Sequence, residues 1–136
     1  MNWEYSCGAI VFTKRSGQIL YVIVQEMEGA YSFPKGHMEG AETEMETARR
    51  EVFEEIGLHP VFVDGFRLQD EYALAEKPGT WKRVTYFLSE FTTETLKPRE
   101  GELRGLQLLP FEEAIHLFEH PGTRHLFTKA HEFLSK

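Results

Sequence analysis

Glu51, Glu54 and Glu55 are the residues whose types and spacing point most directly to chemistry. On a helix turning about 100° per residue they share one arc roughly 100° wide. Met45, Ala48, Val52 and Ile56 form the neighbouring apolar arc, so the carboxylates flank a core-facing stripe. Like charges three and four residues apart destabilise a helix by roughly 0.2–0.5 kcal/mol per pair. All three also stand near the helix C-terminus, where the dipole disfavours anions. Arg50 is the one nearby cation on the same helix. A hard divalent cation with oxygen ligands would resolve the repulsion. The competing reading is a solvated acidic face.

The preceding segment favours the metal. Phe33-Pro34-Lys35-Gly36-His37 supplies a lysine, a glycine that lets chains approach closely, and a histidine. A divalent ion together with a lysine is a common way to hold phosphate oxygens.

These residues need elements to position them. Thr43–Ile56 is predicted as the helix: Thr43 followed by Glu46 makes a capping box, and Gly57 with Pro60 ends it. Tyr5–Phe12 and Ile19–Gln25 read as strands joined through the turn Arg15-Ser16-Gly17-Gln18. Gly29–Gly40 reads as loop with room for one short strand. Val61–Leu68, Arg83–Phe91 and the short Leu106–Leu109 read as further strands, with Lys97–Gly105 a charged loop. Phe111–Phe118 and Thr123–Leu134 carry apolar stripes at helical spacing. Strands interspersed with helices indicate an α/β architecture, read as one domain over residues 1–136.

Composition excludes several classes. The chain has 136 residues and a formal charge of −7, a poor basis for binding long nucleic acid, which needs a broad basic surface. A small phosphate ligand stays compatible, because a metal or a few cations can reverse the field locally. Cys7 is the only cysteine, and no apolar run approaches a membrane span. A reducing compartment, the cytoplasm, is expected, with no membrane partner and a monomer or homodimer as the assembly.

Gly36, then Glu42, then Arg50-Glu51-Val52-Phe53-Glu54-Glu55-Ile56-Gly57-Leu58 fit every fixed position of the Nudix box, and the chain resembles the Nudix hydrolases. The resemblance implies an α/β/α sandwich with a mixed sheet and helices on both faces. It implies Mg²⁺, with Mn²⁺ as an alternative, held by Glu51, Glu54, Glu55 and the Gly36 carbonyl, with Arg50 orienting a carboxylate. It implies water attacking phosphorus in a nucleoside polyphosphate, with Glu51 or Glu54 as general base, or Glu102 from the later loop.

Cys7–Phe12, Phe33–His37, Gly65-Phe66-Arg67, Glu71-Tyr72 and the tail from Glu102 look like the asymmetric dinucleoside tetraphosphate hydrolases. That narrower resemblance implies hydrolysis of diadenosine tetraphosphate to ATP and AMP. Tyr72 would stack on adenine, Lys35 and His37 would face the polyphosphate, and Glu102 would join the metal site. Hydrolases of oxidised nucleoside triphosphates, of RNA 5′ ends or of diphosphoinositol phosphates share the box, as does a nucleotide-sensing module without turnover. Gly40-Ala41 replaces the family's usual Pro-Gly before the box's first glutamate, Glu42, and Lys77–Arg83 is slightly long. Trp81 in that segment is either a second stacking surface or a core cover. His116–His120 fits a two-histidine zinc pattern but reads as packing, because Ile115 and Phe118 are needed inside and Pro121 follows.

Overall fold

A computed structural model describes all residues, Met1–Lys136. The first apolar run lies within a long strand, β1 (Asn2–Arg15). It turns through Ser16 and Gly17, both at positive φ, into β2 (Gln18–Glu26). Two left-handed residues in a two-residue loop match the twist of an antiparallel hairpin. β3 (Tyr31–Ser32) and β4 (Lys35–His37) follow, then α1 (Glu44–Ile56), β5 (Leu68–Ala73), β6 (Thr80–Glu90) and β7 (Leu103–Pro110). The chain ends with α2 (Phe111–Ala114), a 3₁₀ turn (Ile115–Leu117) and α3 (Pro121–Leu134).

The sheet is mixed, in the order β3-β2-β1-β6-β5, with β4 on β1 and β7 on β2. β1 runs parallel to β6 from Asn2 to Phe12, and the other pairings are antiparallel. β1 and β2 pair only between Phe12–Arg15 and Gln18–Tyr21. Beyond that they splay apart: β4 takes the freed edge of β1 at Ser6–Gly8, and β3 takes that of β2 at Val24–Gln25. This splay seats Lys35 and Gly36 at the mouth of a cleft.

Alternation along β1 sends side chains into two cores. Ala9 and Val11 join Val52 and Ile56 of α1 on one face. Ile10 and Phe12 join Leu126, Phe127 and Ala130 of α3 on the other. The expected α/β/α sandwich is the observed fold.

Helix α1 forms where its signals predict. Thr43 accepts from the Glu46 amide at 3.1 Å, and the Glu46 carboxylate accepts from the Thr43 amide at 2.8 Å. Gly57 closes the helix in the left-handed conformation, φ 72°, which suits a residue without a side chain.

Four expectations are corrected. Met45 is 44% exposed and not on the core stripe; Thr47, whose hydroxyl bonds Glu42, is buried in its turn of the helix. Val61–Leu68 is not a strand. It makes one bridge, Phe62 to Ser89, and turns at Gly65, so the strand begins at Leu68. β7 starts at Leu103, because pairing with β2 takes in Gln107 despite its polarity and continues past a bulge at Arg104 to Leu103. The helix expected to reach Phe118 stops at Ala114 and tightens to a 3₁₀ turn, and Phe118 is extended as the chain approaches Pro121.

Removing the Thr43 hydroxyl should cost about 1 kcal/mol of stability in a urea titration of Thr43→Ala, with Thr43→Ser near wild type. Equal midpoints for all three proteins would show that the cap contributes nothing.

Candidate active site

The site is organised by Arg50. Its guanidinium donates to both Glu42 oxygens at 2.7 and 3.0 Å, to Glu51 at 2.7 Å, to Glu54 at 3.0 Å and to the His37 carbonyl at 2.9 Å. Planar geometry with five donors lets one arginine serve four partners. Glu42 also accepts from the Thr47 hydroxyl and the Glu39 amide. These bonds, led by Arg50, hold its pKa down at about 2. One cation therefore ties the loop after β4 to the helix.

The helix and β4 meet closely. A Cβ placed on Gly36 would lie 1.9 Å from a Glu51 oxygen, so any other residue there would push the Glu51 carboxylate out of its place. Burial raises the Glu51 pKa, and Arg50 opposes the shift. Glu55 is buried more deeply and accepts from the Lys35 amide; burial pushes its carboxyl up to about 7, opposed by the Lys35 charge. Glu54 is the more open neighbour, its side chain 34% exposed against 15% for Glu51.

The repulsion argument from the sequence needs one correction. Arg50 already neutralises part of the acidic face by pairing Glu51 and Glu54, while it makes no bond to Glu55. With Glu51 and Glu54 turned to Arg50, no three acidic or histidine side chains converge on one point. The donor chemistry nevertheless fits a hard divalent ion: three carboxylates on one helical turn, one of them held near pH 7 by burial, beside a strand passing at contact distance.

The segment 97–102 folds back onto the helix end. The Lys97 and Arg99 amides donate to the Ile56 and Glu55 carbonyls, both at 2.9 Å. Arg99 lies 3.3 Å from Glu102 and 3.9 Å from Glu54. Glu102 thus reaches the acidic face through Arg99, its side chain 58% exposed.

A cleft of about 190 Å³ adjoins this face across Lys35. Val84 and Tyr86 of β6 line it with Asp70 and Tyr72 of β5; Glu26, Tyr31 and Ser32 line it from the β2–β3 side, and His120 and Thr123 at the start of α3. Tyr72 stacks on His120 with ring centroids 5.6 Å apart and planes 21° apart. Lys82 pairs with Tyr72 across the strands, so both point to the cleft face. Its pKa is lowered by burial and by repulsion from Lys35.

The structure thus brings Lys35 and Tyr72 to one cleft. His37 shares the sheet face of Lys35, by the alternation of β4, but is exposed and lies outside the cleft lining. Sequence reasoning missed Lys82 and His120. Lys82 carries no local signal, and His120 was absorbed into the zinc-like run, whose two histidines fall on different elements, the 3₁₀ turn and the cap of α3. Trp81 resolves to neither expected role: it lies on the α1 face, opposite the cleft, against Trp3 at 6.1 Å. Cys7 is buried in the core.

A NUDIX domain model matches residues 5–130. The chain belongs to the Nudix family. It is 30% identical to the asymmetrical bis(5′-nucleosyl)-tetraphosphatase of Sus scrofa over 95% of this chain and 94% of that protein. A 74-residue stretch is 31% identical to the RNA pyrophosphohydrolase of Psychrobacter arcticus, covering 54% of this chain and 42% of that one. Among solved structures, the binary complex of C. elegans Ap4A hydrolase superposes with a TM-score of 0.89 at 22% identity, over 97% of this chain and 98% of that one. Members of this family generally use divalent metal ions. No helix is long and apolar enough to cross a membrane.

The Glu55 environment has a signed consequence for metal-free protein. A carboxyl whose folded pKa, about 7, exceeds its ordinary 4.5 favours the fold while protonated. Its penalty is absent below about pH 4.5, grows as pH rises through 7 and is complete above. In EDTA, Glu55→Gln should therefore raise stability at pH 8 by up to about 3 kcal/mol and lose that advantage near pH 4.5. Identical melting curves at pH 8 would show that the carboxyl is not desolvated.

Proposed function

We propose that this Nudix hydrolase cleaves dinucleoside tetraphosphates asymmetrically, diadenosine tetraphosphate to ATP and AMP, using Mg²⁺ (or Mn²⁺). The observation that carries this reading is the junction of an acidic helix face and a base-sized cleft through one residue, Lys35. The near full-length similarity to an asymmetrical bis(5′-nucleosyl)-tetraphosphatase supports it.

Each residue has a role in this reading. Glu51, Glu54, Glu55 and the Gly36 carbonyl hold the ion, with Glu102 joining from its loop. When bound there, a divalent ion would supply charge neutralisation at the phosphate oxygens and a lowered pKa for the attacking water. Lys35 and Lys82 bind the polyphosphate, with His37 at the outer edge. Tyr72 stacks on a base, with His120 as its opposite wall; a base slipping between them must widen the present 5.6 Å separation. Glu54, the more open of the two box candidates, takes the proton from water; Glu51 and Glu102 are the alternatives. Arg50 acts by orienting Glu51 and Glu54. The single cysteine and the acidic charge fit a small-molecule enzyme of the cytoplasm.

Glu54→Gln should lower kcat by at least about a hundredfold with the melting temperature retained. An unchanged kcat would remove Glu54 from the chemistry. Tyr72→Ala should raise KM for adenine-bearing substrates far more than for inorganic polyphosphate; equal losses would rule out stacking. Product analysis with diadenosine tetraphosphate and Mg²⁺ decides the main reading. ATP plus AMP supports it, two ADP contradicts it, and binding without turnover marks a sensing module.

A further inference from the structure

The cleft contains a carboxylate that the reaction does not use. Asp70 lies two residues before Tyr72 on β5, so the two side chains share the cleft face about 7 Å apart along the strand. It forms no ion pair, and only the adjacent Glu71 amide offers it a hydrogen bond. The amino end of α3 packs directly on it: a Cβ on Gly122 would lie 2.4 Å from an Asp70 oxygen. His120 and His125 lie close enough to stabilise its charge. Burial raises its pKa above the ordinary carboxylate value, and the Glu71 amide, then His120 and His125, oppose the shift, as does the positive end of a 14-residue helix. Because no α3 side chain caps that end and no α3 amide donates to Asp70, capping does not use its oxygens.

Two carboxylate oxygens that keep spare lone pairs beyond the Glu71 amide, beside a stacking platform, make a base-edge reader. An ionised carboxylate accepts only. Guanine presents two adjacent donors on its Watson–Crick edge, the ring N1–H and the N2 amino group, and matches both oxygens. Adenine presents one amino donor beside the N1 acceptor, so a carboxylate gains one bond and faces a lone pair. We propose that Asp70 reads the base in this cleft and makes the enzyme prefer guanosine over adenosine at that position. This rests on the base-binding role of the cleft proposed above and replaces adenine by guanine as its favoured occupant; the reaction class is unaffected.

The size of the effect follows from paired hydrogen bonds. A matched bidentate contact discriminates by about 1–3 kcal/mol, roughly five- to 150-fold. Asparagine has one donor and one acceptor on the same stem and fits adenine's amino group and N1. Asp70→Asn should therefore reverse the preference, and Asp70→Ala should bring it near one.

Two measurements test this, both as ratios within one protein, so partial unfolding cancels. The first is calorimetric titration with GMP and with AMP. The second is product analysis, with Mg²⁺, of the mixed dinucleotide carrying adenosine at one end of the tetraphosphate and guanosine at the other. Wild type should bind GMP about tenfold more tightly than AMP, and one product pair (ATP with GMP, or GTP with AMP) should dominate by a similar factor. Asp70→Asn should invert both ratios. Equal affinities in wild type, no binding of either nucleotide at millimolar concentration, or ratios unchanged in Asp70→Asn and Asp70→Ala overturn the assignment. A GMP preference that inverts in Asp70→Asn, without cleavage of any dinucleotide, would uphold Asp70 and reject the dinucleotide substrate.

Discussion

The Arg50 guanidinium is the constraint on which the rest of the site depends. It joins Glu42 before the helix, Glu51 and Glu54 on the helix, and the His37 carbonyl at the end of β4. Without it, three carboxylates on one turn would repel each other near the unfavourable end of a helix dipole. With it, the loop, strand and helix become one rigid corner. Charge-assisted bonds are short and directional, so they fix orientation as well as energy. Lysine could not replace this residue, because a point charge on a flexible stem cannot address four partners in one plane.

The corner is useful because of where the sheet opens. β1 and β2 separate after four paired residues, and the freed edges accept β4 and β3. Gly36 then passes against Glu51 so closely that a side chain would displace its carboxylate. Lys35, one residue earlier, reaches both the acidic helix face and the cleft. The acidic helix face and the cleft are thus joined across one short strand. The cleft itself uses β5 and β6 together with the start of α3, where His120 stacks on Tyr72.

The other face of the same overhang is built differently. Trp3, Tyr5 and Trp81 line it, and the Arg83 guanidinium lies over Trp3 and Tyr5 while pairing with Glu71. The register of β1 and β6 puts these residues opposite the cleft. One stretch of sheet therefore carries a polar binding surface on one side and an aromatic layer on the other. Period-two alternation is the whole reason.

Helix α1, its caps, its acidic arc and its tie to a glycine-containing loop were legible in the sequence. They rest on contacts between residues a few positions apart: Thr43 with Glu46, Arg50 with Glu54, Gly57 with Phe53. The alternating strands and the two-sided core were legible because burial is written in the period of apolar residues. Val61–Leu68 misled because three apolar residues in a row do not reveal whether a neighbouring strand edge is free to pair. Lys82, His120 and Asp70 were invisible because their meaning comes from strands and a helix end separated by some 50 positions in the chain and brought together by β5–β6 pairing and the packing of α3. The sequence by itself determined the acidic helix and its partner loop, since local hydrogen bonding and charge decide both. Only the tertiary structure decided which side chains share the cleft and that Arg50 pairs with both Glu51 and Glu54, since those depend on long-range register and on which rotamers the packed fold allows.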